Sequence, residues 1–104
     1  MSSGTYQIIR AAMVARQQIT CTYKGLSREI CPHCIGINKY GAEQVLSYQF
    51  AGQSSKGLPA GGEWRCMEIG KMLNVQSRAG DWHTGNSHLR PQKCVKVVDL
   101  EING

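Results

Sequence analysis

Arg28-Glu29-Ile30-Cys31-Pro32-His33-Cys34 places a guanidinium, two thiols, an imidazole and a proline within seven consecutive positions. Read as local structure, the stretch is the return arm of a hairpin. Before it, Ile19-Thr20-Cys21-Thr22-Tyr23 alternates with period two and sets Ile19, Cys21 and Tyr23 on one face. Lys24-Gly25 supplies the tight turn, and residues 26–31 come back as a second strand. Pro32 has no N–H to give to a ladder, so it predicts the end of that strand, or an edge or a bulge. Ile35-Gly36-Ile37 continues extended, and Asn38-Lys39-Tyr40-Gly41 is a turn by composition.

Upstream, residues 4–17 read as a helix. Ser2 or Ser3 can cap it, and Tyr6, Ile9 and Met13 with Ile8, Ala12 and Ala15 form one apolar stripe. Downstream, residues 44–50 give the clearest strand, with Leu46, Tyr48 and Phe50 on one face and Val45, Ser47 and Gln49 on the other. A Gly/Ser/Pro loop over 51–62 is long for a compact domain, and loops of that length tend to carry function. Residues 63–68 form a further strand, with Trp64 and Cys66 facing one way and Arg65 the other. Residues 69–75 read as a helical turn leading into a short strand. A second long loop, 76–93, holds Trp82, His83, His88, Arg90 and Pro91, and 94–102 closes the chain as a strand. A helix followed by five or six short strands is a mainly β (α+β) chain and predicts a small twisted barrel.

Composition agrees. The 104 residues suffice for one domain spanning 1–104, with 41% hydrophobic and 18% charged side chains, as in ordinary globules. One Phe and two Trp leave the core to Ile, Val, Leu, Met and Tyr, and twelve glycines favour turns and short strands over long helices. The net charge of +5 favours an anionic partner, although no run of four Lys/Arg forms a basic arm. The apolar run over 8–15 is broken by Arg10 and is too short to span a bilayer. With five cysteines and no secretory signal, the expected compartment is the reducing cytoplasm, where C-x-x-C points to metal or redox chemistry before a structural disulfide.

These residues together resemble the core of WYL domains. The helix is followed by Ile19-x-Cys21-x-Tyr23, then by Ser27-Arg28-Glu29-Ile30-Cys31-Pro32, similar to the family's Tyr-bearing strand and its Arg-x-x-x-Pro segment. Val45-Leu46-Ser47-Tyr48 stands in the place of the namesake strand, with Leu46-Ser47-Tyr48 where the family has Trp-Tyr-Leu. Trp64-Arg65-Cys66-Met67 stands in that of the Arg-Phe strand. The likeness covers roughly residues 5–75. It implies a small SH3-like β-barrel with an N-terminal helix, acting as a regulatory module that senses nucleic acid or small ligands. No helix-turn-helix accompanies it here, so the resemblance implies a stand-alone version.

Three chemistries can be asked of these side chains. Zinc needs four ligands; Cys31 and Cys34 have knuckle spacing, and Cys66, His83, His88 and Cys94 would have to supply the rest. Cys21 and Cys66 read better as small core residues. A Cys-Pro-His-Cys redox centre needs its first thiol at a helix N-terminus, and here it follows a strand. Cys–His catalysis would need an orienting acid, for which Asp81 beside His83 is the candidate. Anion binding has the fuller set. Arg28 and Arg65 lie on strands where the resemblance places basic residues, and a guanidinium grips phosphate or carboxylate through paired hydrogen bonds. His33, Tyr48, Trp82 and His83 complete the candidate ligand-binding residues, the aromatics as stacking surfaces for nucleic acid bases. The expected protein is a non-catalytic module for nucleic acid or a small anionic ligand, with no cofactor favoured and zinc possible at Cys31 and Cys34. An exposed sheet edge offers a second copy a place to pair.

Overall fold

The structure, a computed structural model, describes residues 3–53, 62–83 and 94–102. It is mainly β, with one N-terminal helix on a six-stranded antiparallel sheet. The elements run α1 (Gly4–Ala15), β1 (Gln18–Tyr23), β2 (Leu26–Ile37), β3 (Glu43–Gly52), β4 (Glu63–Glu68), a 3-10 turn (Ile69–Lys71), β5 (Met72–Arg78) and β6 (Val97–Glu101). The strand order is β4-β3-β2-β1-β5, and β6 lies against β2 off this path.

Helix α1 starts where Ser3 accepts a hydrogen bond from the Tyr6 N–H at 3.1 Å. It stops two residues earlier than its apolar period suggests, because Arg16 turns left-handed (φ 57°) and its N–H closes onto the Ala12 and Met13 carbonyls. Tyr6, Ile9, Ala12 and Met13 are its buried stripe, and the helix packs on β5, β2 and β1. Its outer end is tied to β6. The Tyr6 hydroxyl donates to Asp99 at 2.6 Å, and Arg10 pairs with the same carboxylate at 2.9 Å.

The hairpin β1–β2 turns through Lys24 and Gly25, both at positive φ, between the paired residues Tyr23 and Leu26. That two-residue turn matches the twist of the flanking strands. Strand β2 then runs straight through Pro32 instead of ending there. Its first half pairs with β1 as far as Ile30, and its second half pairs with β6 from Cys34 onward. Pro32 falls in the gap between those two ladders, where one edge of β2 has no partner to lose. The register against β3 shifts between Pro32 and Cys34, leaving His33 as the extra residue of a bulge. A proline is tolerated within β2 for both reasons.

Residues 69–75 form the turn and the start of β5 as read from the sequence, but β5 extends to Arg78, so the second long connection begins later than expected. The core gathers Ile9, Met13, Ile19, Ile30, Ile35, Val45, Met67 and Ile69, each no more than 1% exposed. Burying each such side chain contributes about 1.5–3 kcal/mol. Strand β3 turns its Val45, Ser47 and Gln49 face inward and leaves Leu46, Tyr48 and Phe50 half-buried on the other.

A correction concerns Cys66. It is exposed rather than part of the core, and it is disulfide-bonded to Cys94, 28 positions along the chain, with a Cα–Cα distance of 5.8 Å. Among the described residues no helix is long and apolar enough to cross a membrane.

Gly36 lets β6 approach β2, because a Cβ at that position would overlap the Val97 carbonyl oxygen. Gly36→Ala is therefore expected to cost about 1–3 kcal/mol in a urea melt. The same variant should raise amide exchange selectively at residues 97–101.

Candidate anion-binding site

The inner face of the β1–β4 sheet is apolar at one end and polar at the other. Along β2, Arg28 precedes Ile30 by two positions and so shares its inward face. On β3 the same face carries Gln49 and Ser47, and Ser47 is registered against Arg65 of β4. Arg28 is 6% exposed, and Ser47 and Gln49 are fully buried.

The hydrogen bonds of this layer are few. Arg28 Nη1 donates to Gln49 Oε1 at 3.2 Å, while Gln49 Nε2 donates to the carbonyls of Ala51 and Gln53. The guanidinium lies over the Tyr23 ring, 5.4 Å from its centroid, a favourable cation–π distance. Tyr23 is itself fixed, its hydroxyl accepting the Glu68 N–H at 3.2 Å. Arg28 Nε and the Ser47 hydroxyl have no hydrogen-bond partner among the described residues.

Charge is the more telling quantity. All seven acidic side chains of the sequence lie within the described residues. Glu29 pairs with Arg78, Glu63 with Arg65, Glu68 with Lys71 and Asp99 with Arg10, and none of the seven pairs with Arg28. The charge that acts on Arg28 most strongly is of the same sign. Burial first, and then the Arg65 guanidinium, push the pKa of Arg28 below its ordinary value. An arginine nonetheless stays protonated, so its charge is buried without a counter-ion among the described residues.

Arg28 and Arg65 face a cavity of about 220 Å³ that is lined also by Tyr23, Lys24, Trp64, Cys66 and Met67. Three cations and no carboxylate form its wall. Its volume lies below the roughly 300–1,000 Å³ of pockets that enclose a whole drug-sized ligand, so it suits one small charged group. The glycine-rich connection to β4 falls largely at 54–61, outside the described residues.

The other expected site residues gather elsewhere, on the opposite face of β2, β3 and β4. His33, in the bulge, is fully buried, and its ring sits 4.8 Å from that of Trp64 and 4.9 Å from that of Trp82. Its Nδ1 lies 2.7 Å from the Cys31 carbonyl oxygen. Tyr48 meets Trp64 edge-on at 5.2 Å, and His83 stacks on Phe50 at 4.1 Å. These rings are engaged with one another, so Arg28 and Arg65 form one site while His33, Tyr48, Trp82 and His83 form an aromatic layer behind it.

The thiols behave as core groups. Cys31 and Cys34 are fully buried; burial pushes the Cys34 thiol up to about 12, and raises Cys31 despite the His83 N–H that donates to its sulfur at 3.3 Å. A nucleophilic or redox thiol needs a shift in the opposite direction. The Asp81 carboxylate makes no hydrogen bond to His83; what Asp81 offers is its carbonyl, to Gln18 at 2.7 Å. Among the described residues no three His, Cys, Asp or Glu side chains converge as metal ligands, and Cys66 and Cys94 are bonded to each other. His88 lies outside the described residues.

Sequence reasoning missed Tyr23 and Lys24, which line the cavity, and Ser47 and Gln49, which lie on the same sheet face, Gln49 bonded to Arg28 and Ser47 registered against Arg65. The signal for the last two was present: they alternate with Val45, and a polar–apolar alternation does not say which face is inside. No family model, no curated protein and no solved structure matches this chain.

The buried thiols predict an alkaline limit to stability. Cys34 is raised to about 12 and Cys21 to about 11, chiefly by burial, against roughly 8.5 in an unfolded chain. The stability that follows from keeping them protonated is whole below pH ~8.5 and is lost as pH climbs through the folded values. Melting temperature should hold steady from neutral pH to about 8 and fall progressively above 9. In the C21A/C34A variant that alkaline slope should be markedly shallower.

Proposed function

We propose that this chain is a non-catalytic binding module that takes one small anionic group, a phosphate or a carboxylate, onto Arg28 and Arg65. The observation that carries the reading is the buried Arg28 guanidinium without any acidic partner. An uncompensated buried charge costs several kcal/mol, and such a cost persists where function requires it. An incoming anion supplies the missing counter-charge and two or more charge-assisted hydrogen bonds.

The small ligand is preferred to a nucleic acid strand for a geometric reason. A strand needs exposed aromatic faces along a basic track. Here Tyr48 and Trp82 have their rings against neighbouring rings, and the cavity that Arg28 shares with Arg65 is about 220 Å³. The helix, the small β-rich fold and the placement of Arg28 and Arg65 are compatible with an SH3-like barrel. They support the likeness to WYL cores, whose regulatory role in sensing ligands suits a domain with this site. The zinc-stabilised alternative draws on Cys31 and Cys34, and would be seen as metal retained through purification without chelator and a melting point that falls in EDTA.

Trp64 lines the cavity, so its emission reports on occupancy. Inorganic phosphate, pyrophosphate, acetate and a short oligothymidylate serve as probes. The proposal predicts saturable fluorescence changes with at least one of the three small anions, lost in Arg28→Met and weakened in Arg65→Met. Without ligand, Arg28→Met should raise the unfolding free energy by about 1–4 kcal/mol, since an apolar side chain of similar length replaces an unpaired charge. Binding unaffected by Arg28→Met, or response to the oligonucleotide alone, would overturn the small-anion reading. A loss of stability in that variant would make Arg28 a structural residue.

A further inference from the structure

A larger cavity, of about 640 Å³, lies beside the disulfide and is lined by Asn38, Lys39, Tyr40, Gln44, Cys66, Glu68, Cys94, Val95 and Lys96. Of these residues only Cys66 also lines the anion site. Two features set this disulfide apart from one that merely holds strands together. Its Cys66 end is exposed and opens onto the cavity. Behind it, Gln44, 7% exposed, aims its side-chain amide at the sulfurs, 2.8 Å from Cys66 Sγ and 3.5 Å from Cys94 Sγ. The amide is held in that orientation by Asn38, whose Nδ2 donates to Gln44 Oε1 at 2.6 Å.

We propose that Cys66–Cys94 is a thiol-exchange site that accepts a small, carboxylate-bearing thiol and stores it as a mixed disulfide on Cys66. The thiolate of the incoming molecule attacks Cys66 Sγ. A new sulfur–sulfur bond forms there, the Cys66–Cys94 bond breaks, and Cys94 Sγ leaves with the bonding pair as a thiolate. The incoming thiol is oxidised to the disulfide level and Cys94 is reduced, so the electrons balance with no further reagent; the proton of the incoming thiol goes to solvent. Exchange of this kind is faster when the leaving sulfur is a stabilised anion. The Gln44 N–H provides one stabilising dipole, and Lys96, two positions from Cys94, lines the same cavity.

The charge of the cavity selects the thiol. Lys39 and Lys96 line it against one carboxylate, Glu68, which is drawn 3.7 Å from Lys71. The remaining positive excess favours a thiol with carboxylates over a neutral or cationic one. Tyr40, 81% exposed, stands beside Lys39 and offers the apolar part of the ligand a surface. The three other cysteines, Cys21, Cys31 and Cys34, are buried and out of reach.

The test uses the full chain, purified without reductant. In denaturant it should show three titratable thiols, those of Cys21, Cys31 and Cys34. The native protein is then exposed to glutathione, 2-mercaptoethanol or cysteamine at equal thiolate concentration, quenched with acid, and read by intact mass and peptide mapping. The expected result is a single adduct on Cys66, formed with glutathione about fivefold faster than with cysteamine, the effect of roughly one surface ion pair. The double variant K39Q/K96Q should erase that preference while leaving the adduct on Cys66. Five titratable thiols in the starting protein, an adduct on Cys94, no adduct at all, or a rate indifferent to the charge of the thiol would each overturn the proposal.

Discussion

The Arg28 guanidinium is buried on the inner face of an antiparallel sheet, and the charge that acts on it most strongly is a second arginine rather than a carboxylate. Much of the surrounding architecture follows from having to hold it there. Gln49 gives its one side-chain acceptor to Arg28 and is pinned by donating to the backbone at the end of β3. Tyr23 lays its ring against the guanidinium and fixes its own hydroxyl on β4. Arg65 is kept in place by Glu63 at 2.9 Å. The apolar half of the same face, from Ile30 to Met67, supplies the stability that tolerates this polar half.

Strand β2 makes the arrangement possible because it has three neighbours. β1 aligns Arg28 against Cys21, β3 brings Gln49 into hydrogen-bond contact with it, and β6 secures the far end from Cys34 onward. The change of partner at Pro32 and the bulge at His33 let one strand serve both ladders. The bulge also turns His33 into the gap between Trp64 and Trp82, closing the outer face with rings instead of presenting them to a ligand.

The helix, the Lys24-Gly25 turn, the Asn38–Gly41 turn region and the strand at β3 were legible because local periodicity and turn chemistry decide them. So was the placement of Arg28 and Arg65 on strands. What was not legible is set by long-range pairing. Pro32 reads as a strand end unless one knows that β1 stops and β6 begins beside it. The alternation along β3 does not say which face is inside until the register puts Ser47 and Gln49 opposite Pro32 and Ile30. Cys66 looked like a core residue because its partner, Cys94, lies 28 positions away across a loop. Aromatic side chains that suggested stacking platforms were satisfied by each other, which spacing along one chain does not reveal.

A buried cation that awaits an anion makes a direct thermodynamic claim: the folded protein, and not the unfolded chain, gains when the anion arrives. The measurement is the melting temperature of the unmodified protein against inorganic phosphate or pyrophosphate, with chloride adjusted to hold ionic strength constant. A saturating ligand at about 100 times its dissociation constant adds roughly 2.7 kcal/mol to stability. The expected result is a rise in melting temperature that follows the anion concentration and disappears in Arg28→Met. A melting temperature indifferent to both anions at constant ionic strength would contradict it.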